Sequence, residues 1–307
     1  MVTRDVHRSY GSHSGPWAVG HRGGMGLAPE NTLAAFERAA GLGLTYLETD
    51  VRVTADGVPV AFHDRTLDRV TGLRGPVAAR SWAELSRARV HGEPVLRLDD
   101  LFAAFPDMCV ALDVKEARAV RPVAEAIRRA GAAGRVCVAG GWDGWLAAVR
   151  EACGPGLTTA LGWRSLTALV SAACAGVRPP RAVATGAFAH VGWTYGRLPV
   201  LHDRRVAVRL VEMAADLGVG VVAWTVEDSV SMRRLIDDGV AGIITDRPDV
   251  LREVLLARSL WVPRRRPSLR PAVGVAPDAV QRRPVVRTHQ RVGRDVDGDV
   301  LALGLGD

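Results

Sequence analysis

From Trp17 to about Arg258 the chain alternates short Val/Ala/Leu-rich runs with longer stretches of helical spacing, and this alternation restricts its fold more than any other feature. Eight runs read as strands: Trp17–Gly20, Thr45–Asp50, Cys109–Val114, Arg135–Ala139, Thr158–Gly162, Arg181–Thr185, Gly220–Thr225 and Ala241–Thr245. Between them, Thr32–Leu42, Ala119–Ala130 and Val206–Leu217 have the apolar period of helices, and Gly131, Gly218 and Gly239 stand where helices end. Strands separated by helices pair in parallel, and eight of them close into a ring. The expected fold is therefore α/β, a (β/α)8 barrel.

One segment breaks the alternation. Val51–His63 carries Asp56-Gly57 between two alternating runs, the signature of a hairpin. It should extend the second strand past Asp50 and return His63 to the barrel mouth, leaving residues 65–100 as a loop-rich excursion. The expected organisation is a flexible 1–16, a barrel over 17–258 and an Arg/Pro-rich, disordered tail over 259–307. That tail holds nine arginines against five aspartates, out of a net charge of +7 for the chain. It has no aromatic after Trp261 on which a base could stack, so a solvated tail is expected, not a nucleic-acid arm. No apolar run is long enough to span a membrane. The N-terminus lacks the apolar region of a secretory signal, and Cys109, Cys137, Cys153 and Cys174 show no metal spacing. Those features suit a cytoplasmic protein with reduced thiols.

The chemistry-bearing residues gather at the ends of the expected strands, where such barrels do their chemistry. Glu48 and Asp50 are two apart on a strand and share a face; with Asp113 they form an oxygen-only set suited to one divalent cation, Mg²⁺ or Ca²⁺. His21 precedes Arg22-Gly23-Gly24, and His63 arrives at the same mouth. Two histidines suit opposite ends of a phosphodiester, one as base and one as acid, while Arg22 can grip two phosphate oxygens. Forty side chains are Lys or Arg, and the only lysine is Lys115, two residues after Asp113. A lone lysine in an arginine-rich chain points to a place where a compact ammonium is required. Asn31 or Thr32 can cap the helix that follows, leaving Glu30 to orient Arg22 or His21. Trp224 is placed to wall the substrate pocket.

The ordered motifs His21-Arg22-Gly23, Pro29-Glu30-Asn31-Thr32, Glu48-x-Asp50, Thr54-x-Asp56-Gly57, His63-Asp64, Leu112-Asp113-Val114-Lys115, Trp224-Thr225-Val226 and Gly239 through Pro248 resemble the glycerophosphodiester phosphodiesterase family. The resemblance runs from about Trp17 to Leu255. It implies a TIM barrel with a cation on Glu48, Asp50 and Asp113. It also implies His21 and His63 as the acid/base pair, with Arg22 and Lys115 on the phosphate. The implied activity is hydrolysis of small glycerophosphodiesters to sn-glycerol 3-phosphate and an alcohol through a cyclic phosphate, with transient lipid-surface contact compatible. A lysophospholipase D-type activity and a non-catalytic phosphate-ligand sensor are the rival readings. Two departures stand out: the third metal position is more often glutamate, and Gly140-Gly141-Trp142-Asp143 stands where the family often has Ser-Phe.

Overall fold

The structure, a computed structural model, describes residues 9–12 and 15–261. Eight parallel strands form the barrel: β1 (Trp17–Gly20), β2 (Tyr46–Val53), β3 (Cys109–Val114), β4 (Val136–Ala139), β5 (Thr158–Thr159), β6 (Phe188–Val191), β7 (Gly220–Ala223) and β8 (Gly242–Thr245). Each lies beside the next, and β8 returns to β1 with Trp17 opposite Gly242 and Gly20 opposite Thr245. Between β5 and β6 the ladder thins to a single bridge, Ala160 to Phe188, beside Leu161 N–H donating to Phe188 O at 2.7 Å. The expected (β/α)8 architecture is thus present, nearly closed.

Strand alternation divides the core. Val19, Tyr46, Ala111, Cys137, Phe188 and Ile244 fill the barrel interior, while their neighbours Ala18, Leu47, Val110, Val138 and Ile243 pack outward against the helices. Trp17 stacks on Tyr46 with centroids 4.9 Å apart. Tyr10 lies within the 1–16 stretch expected to be flexible. It is packed edge-on against Trp17, Tyr46 and Phe188, at the N-terminal end of the barrel, and its N–H donates to Gly134 O at 2.8 Å. Its ring fills space that the strands leave open. Continuing the same parity toward the opposite end places Asp50, Asp113 and His190 on the inward face at the mouth, with His21, Trp224 and Asp246 just past the ends of β1, β7 and β8.

The sixth strand is a correction. Arg181–Thr185, expected as a strand, opens with a short 3-10 turn over Arg181–Val183, and the strand is Phe188–Val191. The Val-Ala-Thr run has strand composition, but it follows Pro179-Pro180. Phe188 supplies the ring that fits the interior, 4.9 Å from Trp17. Gly186 lets the chain cross so close to the Thr159 and Ala160 carbonyls that a side chain there would overlap them. The fifth strand is shorter than expected because Gly162 already caps the helix Trp163–Ala175.

The hairpin forms where expected. β2 continues to Val53, and a return strand, Pro59–Ala61, pairs antiparallel with Val51 opposite Ala61. Gly57 takes φ +85 in the turn, where Thr54 Oγ1 donates to Asp56 at 2.6 Å. The excursion builds a satellite core from Phe62, Leu67, Val70, Val77, Leu85 and Val90. The helix α1 (Leu33–Gly41) follows β1, and the short α2 (Asp68–Thr71) lies in the excursion. Among the described residues no helix is long and apolar enough to cross a membrane, and no disulfide joins the four cysteines. Most of the 259–307 tail lies outside the described residues; at its start, the Trp261 ring lies beneath the Arg252 guanidinium.

Candidate active site

Glu48, Asp50 and Asp113 come together at the mouth, their nearest ligand oxygens all within 4.8 Å of one another. β2 and β3 pair with Asp50 opposite Asp113, so the register alone sets two of these carboxylates side by side. Lys115 Nζ reaches Asp50 at 2.9 Å and Asp113 at 2.7 Å. Burial opposes charge on Lys115, yet the two aspartates hold it above its ordinary range. Burial likewise opposes charge on Asp50; Lys115, Arg22 and the Asn31 amide outweigh it and hold that carboxyl low. Glu48 goes the other way: burial, then Asp50, push it up. Two crowded carboxylates thus split, one firmly ionised and one reluctant.

Arg22 takes φ +49, a left-handed conformation unusual for a side-chain-bearing residue. The twist aims its own N–H at Glu48 Oε2, 2.8 Å away. Its guanidinium lies 3.3 Å from Asp50 through Nε and donates to Glu30 through Nη1 at 3.1 Å. Asn31 is also left-handed, at φ +55, and its N–H donates to Arg22 O at 2.9 Å. Thr32, not Asn31, caps α1, accepting from Ala35 N. Asn31 is therefore free to donate Nδ2 to Asp50 at 3.0 Å while accepting from Thr49 Oγ1 at 2.8 Å.

Each histidine stands on its own carboxylate. His21 Nδ1 lies 2.6 Å from Asp246, carried by the end of β8, and His63 Nδ1 lies 2.7 Å from Asp64. Pinning Nδ1 leaves Nε2 of each ring for a ligand. His63 is held near Asp50 because Phe62 N–H donates to Asp50 O and Arg52 Nε to His63 O. Burial lowers both rings, but for His21 the Asp246 hydrogen bond and the Glu48 charge reverse the balance, and it ends raised. For His63, burial with Arg22 and Lys115 prevails over Asp50 and Asp64, and it ends lowered. Trp224, 43% exposed just past the end of β7, donates its backbone N–H to Val191 O.

The sequence profile described as the Glycerophosphoryl diester phosphodiesterase family matches residues 21–250. A Mycobacterium tuberculosis protein named probable glycerophosphodiester phosphodiesterase 2 is 37% identical over 257 residues, covering 81% of this chain and 94% of that protein. The chain belongs to the glycerophosphoryl diester phosphodiesterase family. Solved structures agree on the fold. A glycerophosphodiester phosphodiesterase from Agrobacterium tumefaciens aligns with TM-score 0.61 at 24% identity, covering 77% of this chain and 98% of the other. An Oleispira antarctica phosphodiesterase in complex with the product sn-glycerol-3-phosphate aligns with TM-score 0.60 at 20% identity, covering 78% and 96%.

As a member of that family the chain is a phosphoric diester hydrolase. In this phosphodiesterase seven of the residues singled out in the sequence, Arg22, Glu30, Glu48, Asp50, His63, Asp113 and Lys115, are linked by hydrogen bonds and ion pairs, and His21, bonded to Asp246, stands beside them with Glu48 close enough to raise it. It gave no role to Asn31 beyond a cap, nor to Asp64 or Asp246, and it overlooked Arg69. Asp64 adjoins a candidate histidine and Asp246 ends a strand, so both carried a usable signal; Arg69 is one arginine among many. Gly140 explains one departure from the family pattern. At φ +72, any side chain there would overlap the Asp113 carboxylate, so the glycine makes room for that residue. His190, inward on β6, is lowered to about 4 by burial, and its Nε2 has no hydrogen-bond partner among the described residues.

Proposed function

We propose that the chain hydrolyses glycerophosphodiesters to sn-glycerol 3-phosphate and an alcohol, with one divalent cation, Mg²⁺ or Ca²⁺, held by Glu48, Asp50 and Asp113. The observation that carries this reading is the three-carboxylate cluster, flanked by Arg22 and Lys115 and by two carboxylate-pinned histidines. The split between Glu48 and Asp50 fits a cation there, since it marks repulsion that a positive ion relieves. Such an ion, when bound, supplies Lewis-acid polarisation of a phosphoryl oxygen. The product bound by the Oleispira antarctica relative supports glycerol 3-phosphate as the retained half.

The two histidines divide the proton work. His63, lowered, takes the proton of the glycerol hydroxyl next to the phosphate; that oxygen forms a bond to phosphorus as the bond to the alcohol oxygen breaks. His21, raised, gives its proton to the departing alkoxide, so a neutral alcohol and a cyclic phosphate result. Water then opens the ring with the roles exchanged. Groups whose surroundings drive them apart suit opposite proton roles. Arg22 and Lys115 offset charge on the phosphoryl oxygens throughout. Four cysteines without a disulfide among them suit the reducing interior expected from the sequence.

The test is glycerol 3-phosphate release from glycerophosphocholine and glycerophosphoethanolamine, with Mg²⁺ or Ca²⁺ and with chelator, beside His21→Ala and His63→Ala. Each variant should lose at least about a hundred-fold in kcat, within the usual range for acid–base groups. No release from folded wild type with either ion would sink the assignment.

A further inference from the structure

Arg69 lies outside the cluster, on α2 of the excursion, yet it joins two of the carboxylates that serve it. Nε donates to Asp64 Oδ2 at 2.6 Å and Nη2 to Asp64 Oδ1 at 3.1 Å. Nη1 and Nη2 donate to Glu30 Oε2 and Oε1, both at 2.7 Å. Asp64 pins His63, and Glu30 accepts from Arg22. An unbroken chain of hydrogen bonds thus runs His63–Asp64–Arg69–Glu30–Arg22. We propose that Arg69 is a positioning residue of the hydrolase: it occupies Glu30 so that Arg22 stays turned toward the phosphate, and it fixes Asp64 so that His63 keeps its orientation. The inference rests on the function proposed above and adds a residue to its machinery.

The competition at Glu30 is what gives Arg69 this part. Glu30 is 6% exposed, and a carboxylate so buried requires positive partners. Among the described residues its hydrogen-bonded cations are Arg22 and Arg69, and they share it unequally: Arg69 makes the short two-pronged contact, and Arg22 a single bond at 3.1 Å. A guanidinium fork is the preferred geometry on a carboxylate. With Arg69 removed, Arg22 is the cation left to make that fork, and it can do so only by turning from Asp50 and the phosphate position. Arg69 itself spends both of its two-nitrogen edges on these carboxylates, Nε with Nη2 on Asp64 and Nη1 with Nη2 on Glu30. Geometry also assigns it to the excursion: α2 is four residues long, and these bonds tie it to the β1–α1 loop.

The experiment compares Arg69→Met and Arg69→Lys, alone and combined with Glu30→Gln, using glycerophosphodiester kinetics and calorimetric binding of sn-glycerol 3-phosphate. Arg69→Met should raise KM and weaken product binding by about ten-fold, with a several-fold fall in kcat from the loosened His63, as losses of supporting shells do. Arg69→Lys keeps the charge but not the double fork and should fall between. Glu30→Gln removes the competitor, so Arg69→Met should add little to KM in that background. Additive effects of the two substitutions, or a folded Arg69→Met with wild-type KM and product binding, would overturn the proposal. If Arg69→Met does not fold, wild-type kinetics and product binding in Arg69→Lys overturn it equally. Wild-type turnover in the same assay separates the two readings: its absence is a failure of the hydrolase assignment, and its presence with indifferent variants is a failure of Arg69 alone.

Discussion

Asn31 is the residue whose part in the site is least visible from its chemistry alone. As a helix-cap type preceding an apolar run it invites a purely structural reading, and the sequence left it level with Thr32. The backbone decides between them: Thr32 is extended and caps, while Asn31 is left-handed and turns its amide onto Asp50. Asn31→Ala therefore leaves a buried carboxylate short of a donor without removing the cap. It should destabilise the chain by about 1–3 kcal/mol, the usual result of stranding a buried polar group, and lower cation affinity as well. Thermal melts with and without cation would show both; an unchanged cation-induced shift would mean that Asp50 does not depend on the amide. Gly140 offers the converse case. Gly140→Ala puts a methyl where the Asp113 carboxylate lies and asks a non-glycine to hold φ +72. Its expected effect is a loss of cation affinity of at least about ten-fold, read by calorimetry, because a displaced ligand weakens a site even where its chemistry is intact.

At the level of elements, patterns with a local physical cause were legible and those set by packing were not. The hairpin was readable because Asp56-Gly57 needs a positive φ that glycine supplies. Helix ends were readable at Gly131, Gly218 and Gly239, all with positive φ. The sixth strand was not, since Arg181–Thr185 and Phe188–Val191 have similar local preferences, and only the fit of Phe188 against Trp17 and Tyr10 selects the second. The site follows the same division. His21, Glu48, Asp50 and Asp113 could be found because strand parity and strand ends place them; Arg69 could not, because its role arises from two carboxylates brought together by the excursion. Tyr10 shows packing acting on a stretch with no strand or helix of its own. Tyr10→Ala empties the floor of the barrel, where truncation of a large buried ring costs about 3–5 kcal/mol. A melt of this variant should fall well below wild type while KM stays the same, since the floor and the mouth lie at opposite ends of the strands. A KM change would mean that interior packing reaches the site.

For the molecule as a whole, the function proposed above makes the carboxylate cluster a link between stability, pH and cations. Glu48 is raised above its ordinary value of 4.5 by burial and by Asp50. A group raised on folding contributes stability when protonated, fully below its ordinary value, and that contribution is lost as pH rises through the raised one. Glu30 and Asp50 are lowered and act in the opposite sense, contributing above their ordinary values and losing it in acid. The cation-free cluster therefore carries one destabilised carboxylate, Glu48, at neutral and alkaline pH while Asp50 and Glu30 beside it are at full strength. Glu227, raised to about 7 chiefly by burial, acts in the same sense as Glu48 but lies outside the cluster. A divalent ion on the cluster requires Glu48 ionised, and in acid it must compete with the proton there. Its effect on the folded state follows mass action, about 2.7 kcal/mol at a hundred-fold excess over Kd. The rise in Tm produced by Mg²⁺ or Ca²⁺ should consequently be larger at about pH 8 than at about pH 5.5, and Glu48→Gln should flatten the difference. Differential scanning calorimetry of chelated and cation-loaded protein at the two pH values measures it directly. Equal shifts at both would mean that Glu48 is not the group that exchanges its proton for the ion, and would move the ligand set toward Asp50 and Asp113 alone.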